Sequence, residues 1–158
     1  MSGTIAERLR GKDRVCIDSM TMIYFIERHP TYLGVVRPLF ELVGRGELRG
    51  LSSYIALLEV LVKPLKDGRE DLVKEYRDIL VGSRSFTLHP VDRATAEKGA
   101  EISAQYNLGA PDAIQLATAT LQGAQAFVTN DMDLRRFPGV EILLLDEFIP
   151  GAPVDGSA

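Results

Sequence analysis

The sequence predicts an α/β domain built on a central, mainly parallel sheet of about five strands. Three observations carry that expectation. Short apolar runs alternate with segments of helical periodicity, as parallel sheets require, because each strand needs a crossover before the next. The 158 residues are 46% hydrophobic and 25% charged, enough for one core and too apolar for a disordered chain. Acidic residues recur just beyond the apolar runs, at the edge where open α/β sheets bind ligands.

Residues 1–13 read as an N-terminal extension of unassigned role, and the domain proper as 14–149. Arg14-Val-Cys-Ile17 is a short buried strand, stopped by Asp18-Ser19 and followed by a helix over 20–27. Its Met20, Met22, Ile23 and Phe25 are assigned to the core, with a dimer face as the alternative; Tyr24, Phe25 and Tyr54 are assigned to the core rather than to base-stacking platforms. A second helix is predicted over 32–46 from the spacing of Val35, Val36, Leu39, Leu42 and Val43. Residues 48–51 are weakly strand-like. Ser52 or Ser53 then caps a helix whose Tyr54, Leu57, Leu58, Leu61 and Val62 fit the rhythm of a core-facing stripe.

A helix over 71–80 and a strand over 85–91 follow. Asp92 caps a helix through Tyr106, and Ala110-Pro111 opens the next, with proline at its preferred first position, running to Gln122. Strands at 126–129 and 140–145 complete the sheet, and 150–158 reads as a flexible tail. Right-handed crossovers place helices on both faces.

The formal charge is −4, from 18 basic and 22 acidic side chains. This excludes a strongly basic nucleic-acid binder but not a basic rim around an acidic centre. One cysteine, Cys16, excludes an intramolecular disulfide and a multi-cysteine zinc site. His29 and His89 each precede proline and lie too far apart for an H-x-x-x-H ligand pair. No apolar run approaches the roughly 18–20 residues of a membrane span. The first residues lack the apolar stretch of a signal peptide, so the expected location is the cytoplasm.

Helices in such a fold run antiparallel to the strands, which gathers acids from separate segments at one edge. Asp18 ends the first strand, Glu59 lies in the second turn of the helix after the second, and Asp112 lies in the first turn of its own helix. Asp131 follows the strand ending at Thr129, with Asp133 just beyond. Each has a purely structural reading: Asp18 as a cap, Asp112 as a complement to the helix dipole, Asn130-Asp131 as turn chemistry. Glu59, on the flank of the apolar stripe, would lose hydration there unless paired with a base. Jointly they are harder to explain, because converging carboxylates repel unless cations neutralise them. An oxygen-only donor set points to Mg²⁺ or Mn²⁺ rather than zinc, and such ions serve phosphoryl chemistry. Rival chemistries lack their motifs. Asp18-Ser19-Met20 is not the Asp-x-Asp of a phosphoaspartyl phosphatase, and no Gly-x-x-x-x-Gly-Lys loop is present.

Val-Cys-Ile-Asp18-Ser19, Ser-Ser-Tyr-Ile-Ala-Leu-Leu-Glu59-Val, Ala-Pro-Asp112-Ala-Ile-Gln-Leu-Ala-Thr-Ala and Phe-Val-Thr129-Asn130-Asp131 resemble, in order, the acidic motifs of the PIN domain. The chain is similar in length and layout to the small PIN toxins of type II toxin–antitoxin modules, the VapC family. The resemblance covers about residues 15–145. It implies a three-layer α/β/α fold, a Mg²⁺- or Mn²⁺-dependent endoribonuclease, a homodimer and a cognate antitoxin. Its substrate would be tRNA or another structured RNA. Carried over by position, Asp18, Glu59, Asp112 and Asp131 become the metal-binding catalytic acids, Ser19 and Thr129 support them, and Asp133 replaces or supplements Asp131. Arg135, Arg136 and Lys63 are the candidate RNA contacts, whereas Lys66 and Arg69 read as solvated charge. The alternative is a catalytically inactive PIN-like module that binds RNA or protein; the intact set of four acids argues against it.

Overall fold

The computed structural model describes residues 3–151. Its strands are β1 (Arg14–Ile17), β2 (Arg49–Ser53), β3 (Phe86–His89), β4 (Ala126–Thr129) and β5 (Glu141–Leu144). They form one parallel sheet in the order β3-β2-β1-β4-β5. The helices are α1 (Ile5–Leu9), α2 (Ser19–Ile26), α3 (Leu33–Gly44), α4 (Tyr54–Lys66), α5 (Glu70–Leu80), α6 (Arg93–Tyr106) and α7 (Ala110–Leu121). A 3-10 turn, Met132–Arg136, follows β4, and another, Leu145–Phe148, follows β5.

Alternation along each strand builds the three layers. Val15, Ile17, Val128 and Leu143 meet Met22, Leu39, Val60 and Tyr76 from the α1–α5 side. Cys16, Leu51, Phe127 and Leu144 meet Ile102, Leu116 and Ala117 from the α6–α7 side. Central strands covered on both faces must be apolar throughout, which is why β1 and β4 read as continuous hydrophobic runs. The chain steps outward from β1 to β3, then returns to lay β4 and β5 on the other side of β1. Connections leaving β1 and β4 therefore diverge, and a crevice opens between their carboxyl ends.

Of the extension expected at 1–13, the described residues from 3 onward carry structure. Thr4 caps α1 by accepting from the Glu7 N–H at 3.2 Å, and Ile5 and Leu9 are buried in the core beside α3. Arg8 and Lys12 reach Glu141 of β5 at 3.2 and 3.9 Å. The tail expected at 150–158 lies outside the described residues from 152 onward. Among the described residues, no helix is long and apolar enough to cross a membrane.

Three expectations about side-chain placement are corrected. Helix α4 buries Ala56, Val60 and Pro64, whereas Tyr54, Leu58 and Val62 are 45%, 59% and 42% exposed. Apolar residues run round most of α4, so periodicity fits two faces; packing on the sheet selected the one with smaller side chains. Glu59 is consequently exposed, not desolvated on the flank of a buried stripe. In α2, Met22 is fully buried but Met20 is not, because α2 presents its first turn to the crevice.

Candidate active site

The amide N–H of Asp18 donates to the Val128 carbonyl at 3.2 Å, carrying the β1–β4 pairing one residue past the strand. Asp18 then caps α2: its Oδ1 accepts from the Thr21 N–H at 2.9 Å and from the Thr21 hydroxyl at 2.7 Å. The Thr129 hydroxyl, buried at the end of β4, accepts from the Asp131 N–H at 3.1 Å. Asp131 in turn caps the following 3-10 turn, accepting from the Asp133 N–H at 2.9 Å. The capping and turn roles read from sequence are real, and they set the direction of each carboxylate.

Asp112 enters from the first turn of α7, directly after Pro111 in the helix's second position, where the positive end of its dipole lies. Asp18, Asp112 and Asp131, with Ser19, line one cavity of about 410 Å³ at the carboxyl edge of the sheet. Glu59 stands to one side on α4, where its Oε1 accepts from the Gln115 Nε2 at 3.2 Å. Asp133 is turned away and paired with Arg136 at 3.3 Å. Asp131, not Asp133, therefore lines the cavity.

The electrostatics mark this edge. The described residues form ion pairs elsewhere on the surface, but none involves Asp18, Glu59, Asp112 or Asp131. Burial pushes Asp18 above the ordinary carboxylate range; hydrogen bonds from Thr129 and Thr21 pull it back, and the charge of Glu59 adds a further upward push. Asp112 is raised by burial first and then by the charges of Asp131, Asp18 and Asp133. The acids therefore share one field. As they stand, no three acidic, His or Cys side chains among the described residues are gathered to ligating distance. Asp18 and Glu59 spend oxygens on Thr21 and Gln115.

The donor chemistry nonetheless suits a hard cation. All the candidate donors are carboxylate oxygens, which favour Mg²⁺ or Mn²⁺. Cys16 is buried with its thiol pushed up by desolvation, which removes it as a thiolate ligand. The candidate RNA contacts are occupied within the chain: Lys63 pairs with Asp67 at 2.9 Å, Arg135 with Glu147, and Arg136 with Asp133 and the Asn107 carbonyl.

Several supporting residues escaped the sequence reading. Thr21, three residues after Asp18, sits at a capping spacing that signals it. Gln115, one turn beyond Asp112, is, with Thr118, one of the buried polar residues on the packed face of α7. No local signal marks the ring formed by Tyr32, Asn130 and Asp146. Tyr32 donates its hydroxyl to Asp146 Oδ1 at 2.5 Å, Asn130 Nδ2 donates to that hydroxyl at 3.0 Å, and the Asp146 N–H donates to Asn130 Oδ1 at 3.1 Å. Both ends of the Asn130 amide are thereby engaged, which anchors the backbone immediately before Asp131.

A parallel sheet in this strand order, with acids after β1 and β4 and on α4 and α7, defines a recognisable class. The PIN domain family profile matches residues 15–140, and the chain belongs to that family. Among solved structures it is similar to VapBC2 from Rickettsia felis bound to a promoter DNA fragment. There the TM-score is 0.66 at 17% identity, covering 83% of this chain and 98% of that one. It is also similar to Mycobacterium tuberculosis VapC20, described as a sarcin-ricin loop cleaving toxin, with TM-score 0.64 at 15% identity over 80% and 98% of the two chains. DNA-bound VapBC from Salmonella typhimurium gives 0.61 at 21% identity, over 84% and 98%. No curated protein sequence matches the chain.

Proposed function

We propose that this protein is a Mg²⁺- or Mn²⁺-dependent endoribonuclease and the toxin of a toxin–antitoxin pair. The observation that carries the reading is the uncompensated carboxylate set at the switch point of the sheet, with Asp18, Asp112 and Asp131 on one cavity wall and Glu59 beside it. Membership of the PIN domain family supports it, as does likeness to toxin–antitoxin complexes and to a toxin described as cleaving the sarcin-ricin loop. An ion held by these carboxylates would supply a water of lowered pKa and neutralise charge growing on the phosphate. The chain's own work is to keep the ligand oxygens in place. Thr21 orients Asp18, Gln115 steadies Glu59, and Thr129 and the Asn130 ring anchor Asp131. Attack by water leaves 5′-phosphate and 3′-hydroxyl ends, since the 2′-hydroxyl takes no part. The partners of this reading are a structured RNA, an antitoxin protein and a second copy of the chain.

The test is cleavage of RNA by the purified chain with Mg²⁺ or Mn²⁺, with EDTA, and with Asp18→Asn and Asp112→Asn controls. Cleavage that needs metal and both aspartates supports the reading. Cleavage that survives chelation, or a cyclic 2′,3′-phosphate product, overturns it. RNA binding that is equal with and without Mg²⁺ and never leads to cleavage would favour the inactive binding module.

A further inference from the structure

Helix α3 has no side-chain cap from Tyr32, the residue before its first. The turn leading into it supplies one. The His29 carbonyl accepts from the Leu33 N–H at 2.9 Å, so the helical path already begins at His29. Its Nδ1 accepts from the Thr31 N–H at 3.1 Å and the Tyr32 N–H at 3.4 Å, the reach of an N-cap side chain, and Pro30 takes the position after the cap. Serine, threonine and asparagine, common caps, carry no charge that changes near neutral pH; an imidazole does. Two N–H donors on Nδ1 require that nitrogen to be unprotonated, with the ring proton on Nε2. A proton added to Nδ1 removes the acceptor, sets N–H against N–H, and puts a cation at the positive end of a helix. No ion pair among the described residues includes His29. Tyr24 of α2 meets its ring edge-on at 4.9 Å, and Tyr32 lies tilted against it at 5.1 Å. Of the charged residues around this turn, Glu27 is bonded to Tyr76, Asp146 is bonded to the Tyr32 hydroxyl, and Arg28 adds a like charge one residue away.

The capped turn leads to the acids. Tyr32 stacks on Tyr24, with centroids 4.3 Å apart and planes 14° apart. Its hydroxyl accepts from Asn130 Nδ2 at 3.0 Å and donates to Asp146, and Asn130 directly precedes Asp131. We propose that His29 is a positioning residue: neutral, it caps the turn that fixes Tyr32 and so holds Asn130 and Asp131; protonated, it releases them. The inference rests on the metal-dependent nuclease reading and adds a regulation of that site, which is set at neutral pH and slackens on acidification. His29 touches none of the four acids and acts only through Tyr32 and Asn130. Asp18 and Glu59 keep supports of their own in Thr21 and Gln115, so the change falls on Asp131 and on the cation it helps to hold.

The experiment compares the full chain with His29→Asn and His29→Phe at about pH 8 and about pH 5.5, on either side of the range in which imidazoles change charge. An asparagine amide caps a helix and takes up no proton in this range, whereas phenylalanine keeps a ring beside Tyr24 and Tyr32 but accepts nothing. Three quantities are read: the melting temperature in EDTA, the affinity for Mn²⁺, and single-turnover cleavage of a labelled RNA at one fixed Mn²⁺ concentration. Titration of the site carboxylates is common to all three proteins, so each result is taken relative to His29→Asn at the same pH. At the higher pH the wild type should match His29→Asn within about twofold, and His29→Phe should bind Mn²⁺ and cut RNA about tenfold less well. At the lower pH the wild type should fall to the level of His29→Phe, while His29→Asn keeps its lead. The wild type and His29→Asn carry the test alone if His29→Phe does not fold. A ratio between those two that is the same at both pH values overturns the proposal. So does a melting temperature that follows the pattern while Mn²⁺ affinity and cleavage ignore it, which leaves His29 a structural cap. If melting temperature and Mn²⁺ affinity follow the pattern but no RNA is cut, His29 keeps its role and the nuclease reading falls. Metal-dependent cleavage without the pattern has the reverse meaning.

Discussion

The two edges of the sheet carry clefts of similar scale and opposite electrostatic character. At the amino edge, a cavity of about 590 Å³ is lined by Asp13, Arg14, Glu47 and Arg49, two acids balanced by two bases. Several of its polar groups are engaged. Gln125 accepts from the backbone N–H groups of Asp13 and Arg14, the Arg14 guanidinium donates to the Gln122 carbonyl at 3.0 Å, and Glu47 pairs with Arg45. At the carboxyl edge, the smaller cavity of about 410 Å³ collects three aspartates that no base answers. Size would select the amino edge; uncompensated charge selects the carboxyl edge. A fold gains nothing from desolvated, mutually repelling carboxylates, so their persistence in a crevice is a mark of function, and a balanced cleft is a structural seam.

That contrast can be broken experimentally. The largest expected effect is catalytic: Asp18→Asn or Asp112→Asn should lower RNA cleavage by about a hundredfold or more, the scale of several kcal/mol of lost charge stabilisation. Asp13→Asn at the amino edge should leave the rate within about twofold. Comparable losses at both edges, in single-turnover assays, would dissolve the distinction. Next comes Thr129→Val, which keeps the shape but removes the buried hydroxyl that accepts from the Asp131 N–H. It should cost about 1–3 kcal/mol of stability by leaving a buried group unpaired. Cleavage should fall about 10–100-fold, the range typical of partners that orient metal ligands. Denaturant melts and Mn²⁺ titrations of the variant check the two effects separately.

A smaller effect runs in the opposite direction. The folded pKa of Asp112 is raised, so the native state binds its proton more tightly than the unfolded chain does. Wild-type stability therefore falls as pH rises from the ordinary aspartate value, about 3.9, through the raised folded value. In EDTA at pH 7, Asp112→Asn should raise the melting temperature. The gain should narrow as pH falls through the folded value and vanish below the unfolded one. A variant less stable than wild type at pH 7 would show that Asp112 is not held at a cost. The smallest effect belongs to the exposed pair of Arg8 and Glu141. Arg8→Ala should change stability by less than about 1 kcal/mol, because α1 is held by the burial of Ile5 and Leu9.

The local signals of the fold were legible residue by residue. Asp18, Ser53 and Asp92 cap α2, α4 and α6 by accepting from N–H groups two or three residues on. Helix α7 begins at Ala110, so Pro111 takes its second position rather than the expected first, and the apolar run at 126–129 coincides with β4. Strand β3 ends at His89, short of the predicted boundary at 91, because Pro90 has no N–H to continue the ladder. The acids were legible for the same reason: strand ends and helix starts can be located locally, and the parallel fold sends all of them to one edge.

What periodicity left undecided has a different physical origin. Helix α4 is apolar on more than one side, so which side meets the sheet, and whether Glu59 is wet or dry, depended on neighbours far away in sequence. The short α1 has too few residues to announce itself and owes its place to the core it covers. The ring of Tyr32, Asn130 and Asp146 joins residues as much as 114 positions apart, and Met20 and Met132 share the acidic cavity only because α2 and the loop after β4 meet there. The order of the elements and the acidic character of one edge belong to the sequence by itself, because they follow from local backbone and side-chain preferences. The choice of buried face, the anchoring of Asp131 and the apolar mouth of the acidic cavity were decided by tertiary structure, because each depends on which distant side chains pack together.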